Sequence, residues 1–282
     1  MDTPLWPAKL DHLRRDGEDP DALAAFYAAT LGYEAAKLDA ETWLLVGFNR
    51  RLLIGKGPKA TQDFAAFRLT GEAQLAALRA HCLGRGLALR PNPSPLFADG
   101  FAVTDPDERT IVFGLADPAG PSPPPGAGAA GLPGRLQHVV YATADLPRLV
   151  EFYVGKLGFR TSDDVFQGNQ VTATFWRSDP EHHSMAAFRA PKAGGDHHAY
   201  ETTGWGDIKE WADHMAARRI KLWWGPGRHG PGNNLFFMIE DPEGYKIEIS
   251  AELENMGRDF VARRWEHEER TLNLWGGAWM RS

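Results

Sequence analysis

The sequence predicts an α+β fold of four βαβββ units, paired into two domains whose curved, incompletely closed sheets each surround a cleft. Three observations carry this expectation. The chain repeats itself on either side of a proline- and glycine-rich break. Each half divides again into two similar stretches. Each stretch runs from a strand into an amphipathic helix and on to a hairpin marked by an Asp-Pro turn.

The first repeat lays LDHLRRDGEDPDALAAFYAATLGYE (residues 10–34) over LQHVVYATADLPRLVEFYVGKLGFR (residues 136–160). Both read as a strand, a turn holding Asp and Pro, and a helix that ends in Leu-Gly-aromatic, where the glycine suits a helix C-cap. The second lays FAVTDPDERTIVFG (residues 101–114) over FMIEDPEGYKIEIS (residues 237–250), strand–turn–strand in both. Within the C-terminal half, HHAYETTGWGDIKEWADHMAARRIKL repeats the pattern begun at His138, and FWRSDPEHHSMAAF repeats that of residues 237–250. Between the halves stands DPAGPSPPPGAGAAGLPG (residues 117–134), which can build neither a helix nor a strand interior. It reads as a linker, giving an N-terminal domain over 1–116 and a C-terminal domain over 135–282. Its GAGAAG matches the form of a dinucleotide-binding fingerprint. The strand before it and helix after it that phosphate binding requires are missing.

Composition narrows the function. At 43% hydrophobic and 24% charged, the 282 residues are those of a globular chain. A net charge of −6 argues against a nucleic-acid partner. No apolar run is long enough for a membrane span, and no export signal is visible at the N-terminus. Cys82 is the only cysteine, so no disulfide forms within the chain and the cytoplasm is the expected compartment. Ten tryptophans and fifteen phenylalanines supply enough aromatic surface for both a core and a flat apolar pocket.

Four βαβββ units over nearly the whole chain, with AELENM and later TLNLWG at the end, resemble the vicinal oxygen chelate superfamily, and within it the type I extradiol dioxygenases. Overlaying the units picks out candidate ligands. His138 and His197 hold equivalent positions on the first strands of units three and four. Alternation along a strand separates His197 from His198, directing the first into the cleft and the second outward. Glu248 lies between Ile247 and Ile249 on the last strand, where a buried carboxylate needs a partner. Any one of the three alone is ordinarily a structural or exposed residue. At corresponding strand ends of a repeat they form a metal-ligand set. Ala186 stands where a fourth ligand would stand in glyoxalase I relatives. Two histidines and one carboxylate leave open coordination positions, the arrangement of non-haem Fe(II) oxygen chemistry, with Mn(II) as the alternative metal. In the first half, His12 corresponds to His138, but Phe64 and Val112 replace the other two ligands. That half therefore reads as a scaffold.

The resemblance further implies that His183, three residues before Ala186, is the acid–base residue, and that His229 hydrogen-bonds substrate or bound oxygen. Met238 falls at the family's tyrosine position, where it cannot donate a hydrogen bond. Tyr200 and Tyr245 are possible substitutes, and Phe175 could face a substrate ring. The implied activity is Fe(II)-dependent cleavage of a small aromatic diol by dioxygen to a ring-opened semialdehyde acid, by an expected homo-oligomer. Two rivals share the fold: a metal-dependent isomerase or lyase, and a non-enzymatic protein that sequesters an aromatic compound.

Overall fold

The computed structural model describes residues 3–117, 132–257 and 259–280. The four expected units are all present. Unit one comprises β1 (Lys9–Gly17), α1 (Pro20–Leu31), β2 (Glu34–Lys37), β3 (Trp43–Gly47) and β4 (Arg50–Lys56). Unit two comprises β5 (Thr61–Arg68), α2 (Glu72–Gly84), β6 (Arg90–Pro91), β7 (Phe97–Thr104) and β8 (Thr110–Ala116). Unit three comprises β9 (Arg135–Thr143), α3 (Leu146–Val150) widening into a π-helical turn (Glu151–Leu157), β10 (Arg160–Gln167), β11 (Gln170–Arg177) and β12 (Met185–Arg189). Unit four comprises β13 (Gly194–Thr202), α4 (Trp205–Ala217), β14 (Trp224–Arg228), β15 (Leu235–Glu240) and β16 (Lys246–Ala251). A C-terminal extension adds β17 (Arg263–Glu266) and α5 (Glu269–Leu272). The GAGAAG segment lies outside the described residues.

Local signals explain the helix ends. The carboxylates of Asp19 and Asp145 cap α1 and α3, accepting from the backbone of Ala22 and Arg148 at 2.9 and 3.2 Å. Gly32 and Gly158 end the two helices with φ of 68° and 92°, a left-handed conformation that glycine adopts without a Cβ clash.

Each half builds one mixed sheet. The first runs β2-β3-β4-β1-β5-β8-β7-β6 and the second β14-β15-β16-β13-β9-β12-β11-β10-β17. In both, the first strands of the two units pair antiparallel at the centre: β1 with β5, and β9 with β13. Each is flanked in parallel by its own unit's last strand. Equivalent residues of paired units therefore face each other across one curved surface.

The two halves pack against each other largely through their central strands, β1 against β9 above all, and there they interlock. Arg15, 1% exposed, donates to Asp241 at 2.9 Å and lies over the Tyr245 ring at 4.8 Å. Arg109 repeats this arrangement with Asp105 at 2.9 Å and the Tyr141 ring at 4.4 Å. Each of these Asp-Pro-turn aspartates also accepts from a helix tyrosine of the other half: Asp241 from Tyr27 and Asp105 from Tyr153. The buried tyrosine pair Tyr33–Tyr200 closes the seam at 2.7 Å.

This seam corrects two expectations. His198 does point away from the cleft, yet it is fully buried rather than facing solvent. It stacks on Tyr245 at 5.5 Å and hydrogen-bonds the Tyr200 hydroxyl at 3.0 Å. Tyr245 and Tyr200 are spent in the same seam, Tyr245 donating to Gln62 at 3.2 Å, so neither offers its hydroxyl to the cleft.

Candidate metal centre

The curved surface of the second sheet brings His138, His197 and Glu248 together. One ligand atom from each falls within 4.8 Å of the others, and all three side chains are buried. β9 and β13 supply the histidines. On β16, Glu248 stands opposite Ala199, one pleat along from His197, so His197 Nε2 reaches Glu248 Oε2 diagonally at 3.3 Å. His138 Nε2 is 3.9 Å from the same oxygen.

The hydrogen bonds behind the histidines decide which nitrogen is available. Gln137 Nε2 faces two acceptors, the His183 carbonyl and the Glu181 carboxylate. Its oxygen is therefore turned to His138 Nδ1, which must donate. His197 Nδ1 donates to the Asp196 carboxylate. Both Nε2 atoms are thus left facing Glu248, the carboxylate–histidine arrangement typical of metal sites. Glu248 Oε1 is held by Asn234 at 3.1 Å. Burial pushes the His138 pKa down to about 3, keeping the ring neutral and able to coordinate. Burial alone would raise Glu248, but His197, His229 and the neighbouring imidazoles overcome it and hold the carboxyl ionised well below its usual range. Burial would lower the His197 pKa, but its hydrogen bonds to Asp196 and Glu248 raise it, so a metal would take the place of the Nε2 proton. Two imidazole nitrogens and one carboxylate oxygen converging on one point fit a divalent first-row metal.

The cleft above these atoms encloses about 750 Å³, its open mouth included. His183 and His229 line it. The His183 ring lies 4.4 Å from that of His138. His229 stacks on Phe236 at 3.7 Å, donates Nδ1–H to the Leu272 carbonyl, and brings Nε2 to 3.9 Å from Glu248 Oε2. Phe175 and Met238 are in the wall, Met238 directly opposite Glu248 on the neighbouring strand. Ala186 is also there, with no carboxylate at the fourth-ligand position. Trp176 faces the other way and stacks on Tyr153 at 4.8 Å.

Sequence reasoning missed the supporting residues Gln137, Asp196 and Asn234. Two of them, adjacent in the chain to a candidate ligand histidine, were open to notice. The C-terminal extension was expected, but not that it places His267, Thr271 and Leu272 at the cleft.

Among the described residues, the equivalent surface of the first half holds no such centre. His12 is fully buried and bonded to Ser94 at 2.6 Å and Asp11 at 2.7 Å. Phe64, Phe97 and Val112 fill the space around it, Phe64 and Val112 at the register positions of His197 and Glu248.

Residues 135–249 match the model of the Glyoxalase/Bleomycin resistance protein/Dioxygenase superfamily, so the half that carries this centre is a domain of that superfamily. The chain is 29% identical to metapyrocatechase 2 of Cupriavidus necator, over 73% of this chain and 69% of that one. It is 26% identical to an iron-dependent extradiol dioxygenase of Rhodococcus jostii (strain RHA1), over 95% of each. Among solved structures, homoprotocatechuate 2,3-dioxygenase of Arthrobacter globiformis superposes with a TM-score of 0.82 at 25% identity, covering 98% of this chain and 91% of that one. The Mn(II)-bound glyoxalase of Novosphingobium aromaticivorans superposes with 0.83 at 24% identity over 96% and 92%, a likeness of fold.

Proposed function

We propose that this protein is an Fe(II)-dependent extradiol dioxygenase, with Mn(II) as the alternative metal, that cleaves a catechol bearing an uncharged, apolar substituent. The observation that carries the reading is the convergence of His138, His197 and Glu248, three donors able to hold a metal, with Ala186 in the fourth place, beneath a cleft that also presents His183 and His229. Relatives named for extradiol cleavage support it. A glyoxalase shares the fold, so fold alone does not choose between the chemistries. The missing fourth ligand favours oxygen chemistry.

When bound, the metal supplies a Lewis acid and a template for adjacent oxygens. The chain supplies the rest. His183 takes a proton from a diol hydroxyl: the O–H bond breaks, an N–H bond forms, and the diol is left more anionic. His229, its Nδ1 fixed by Leu272, presents Nε2 beside the centre for hydrogen bonding. Phe175, Val140, Ala173 and Met238 offer apolar surface to the ring. Overall, both atoms of dioxygen enter the product and the ring bond beside the diol breaks, giving a semialdehyde acid. Among the described residues no lysine or arginine lines the cleft, so a substrate carboxylate would find no counter-charge among them.

The N-terminal half (1–116) would serve as scaffold and the C-terminal half (135–282) as the catalytic domain, in a homo-oligomer whose size sedimentation would read. Among the described residues no helix is long and apolar enough to cross a membrane. We place the protein in the cytoplasm, where a buried free thiol such as Cys82 persists. The test is a catechol panel with iron-loaded protein. 4-Methylcatechol should yield a coloured ring-fission product faster than 3,4-dihydroxyphenylacetate does. No coloured product from any catechol would remove the proposal, and a preference for the carboxylated compound would remove its substrate class.

A further inference from the structure

We infer that Asp163 and His182 are positioning residues that fix the tautomer of His183. The inference rests on the acid–base role proposed for His183. A buried chain of hydrogen bonds runs from the C-terminal extension to the cleft wall. His183 Nδ1 lies 2.9 Å from His182 Nδ1. His182 Nε2 lies 2.9 Å from Asp163 Oδ2. Asp163 and His182 are fully buried and His183 is 3% exposed.

The direction of each bond follows from what each group can do. Asp163 also faces Arg263 Nε at 2.8 Å, Arg263 Nη2 at 2.9 Å and Trp265 Nε1 at 2.9 Å, all of which can only donate. A carboxyl group so surrounded is ionised and accepts everywhere. Burial would raise its pKa, but the His182 and Arg263 hydrogen bonds bring it below the usual value. His182 Nε2 must therefore carry its proton, and in the neutral ring Nδ1 is bare. Two bare nitrogens repel at this distance, so the proton between the imidazoles belongs to His183 Nδ1. That leaves His183 Nε2 as a lone pair, the only ring nitrogen of His183 free to meet a ligand. The residue enters the reaction as a base, with no tautomer exchange required first. When Nε2 takes the diol proton, the imidazolium passes hydrogen-bonding strength along His182 to the Asp163 carboxylate, which offsets the new charge.

The extension thus acts on the chemistry from behind. β17 pairs with β10 in register Asp163↔Arg263 and Val165↔Trp265, which sets both donors on the carboxylate. Arg263 is itself braced by Glu254 at 2.6 Å.

Three variants separate positioning from bulk structure. Asp163→Asn adds a donor where only donors face it, and His182 alone among its partners can answer by becoming an acceptor. His182 then protonates at Nδ1 and drives the His183 proton to Nε2. His182→Phe removes the acceptor altogether. His182→Asn can set its amide oxygen where Nδ1 was, and keeps the acceptor. The expected result is a kcat loss of roughly 10–100-fold in Asp163→Asn and His182→Phe, the scale of losing an orienting partner, with KM for 4-methylcatechol and metal content little changed. His182→Asn should restore most of the rate. The direct readout is the nitrogen-15 spectrum of histidine-labelled, zinc-loaded protein, with His183 assigned by its loss in His183→Ala. Wild type should show His183 protonated at Nδ1 and bare at Nε2. A His183 protonated at Nε2, or wild-type kcat in both Asp163→Asn and His182→Phe, would overturn the inference. Because the wild-type spectrum is read without turnover, it decides the tautomer even if a variant fails to fold. A protein that cleaves no catechol while showing the Nδ1 tautomer would count against the proposed function instead.

Discussion

His197 Nε2 lies 3.3 Å from Glu248 Oε2, although Ala199, not His197, is the residue directly opposite Glu248 on the neighbouring strand. The two side chains share a face and meet on the diagonal. His198, one residue on, is turned through the sheet into the seam between the halves. The two adjacent histidines therefore have separable roles. His197→Ala should abolish tight binding of the single ion, about one per chain, that the triad predicts. His198→Ala should keep that ion but lose about 2–4 kcal/mol of stability, because it leaves a cavity and an unpaired Tyr200 contact. Metal analysis together with urea unfolding reads both. Retention of metal by His197→Ala would reverse the assignment.

Met238 stands opposite Glu248 in the cleft wall and gives that wall no donor. Met238→Tyr should leave metal content unchanged. With catechol itself it should maintain or raise kcat/KM, since a hydroxyl is added and the ring is small. With a bulkier 4-alkylcatechol, KM should rise as the new ring takes up space. Equal changes for both substrates would show that this position does not touch the ring.

The halves are joined by an ion pair that water does not reach. Arg15 and Asp241 are 1% and 0% exposed in their side chains. Arg15→Ala should destabilise the protein by about 3–5 kcal/mol, mostly through the stranded Asp241 charge. A urea midpoint close to wild type would mean that the seam contributes little.

The strands, helices and candidate ligands were legible because their signals are local. Strand alternation, Asp-Pro turns and the Gly32 and Gly158 caps are each written within a few residues, and the repeat supplied the register. What lay beyond reach depends on contacts distant in sequence. Nothing near Tyr245 says that Gln62 and Arg15 will occupy it. Nothing near His198 says that another half will bury it. Asp163 and Arg263 are a hundred residues apart, and the short, charged β17 carries no apolar pattern to mark it as a strand.

In the first half, burial depresses the His12 pKa despite its bond to Asp11, so the ring is neutral when folded. On unfolding it takes up a proton at its ordinary 6.5. Its contribution to stability is therefore complete above pH 6.5, declines as the pH drops below that value, and is gone below the folded pKa. One such proton steepens the loss by about 1.4 kcal/mol per pH unit. His12→Gln, which cannot titrate, should show a shallower fall in unfolding free energy between neutral and mildly acid pH. An unchanged slope would show that His12 is protonated in the folded state.

The most direct test of the central claim is dioxygen uptake by anaerobically iron-loaded protein given 4-methylcatechol, with Glu248→Ala alongside. The account predicts equimolar consumption of dioxygen and catechol by the wild type, with a ring-opened product, and no uptake above background by the variant. Catechol binding without oxygen consumption, or uptake that survives Glu248→Ala, would contradict it.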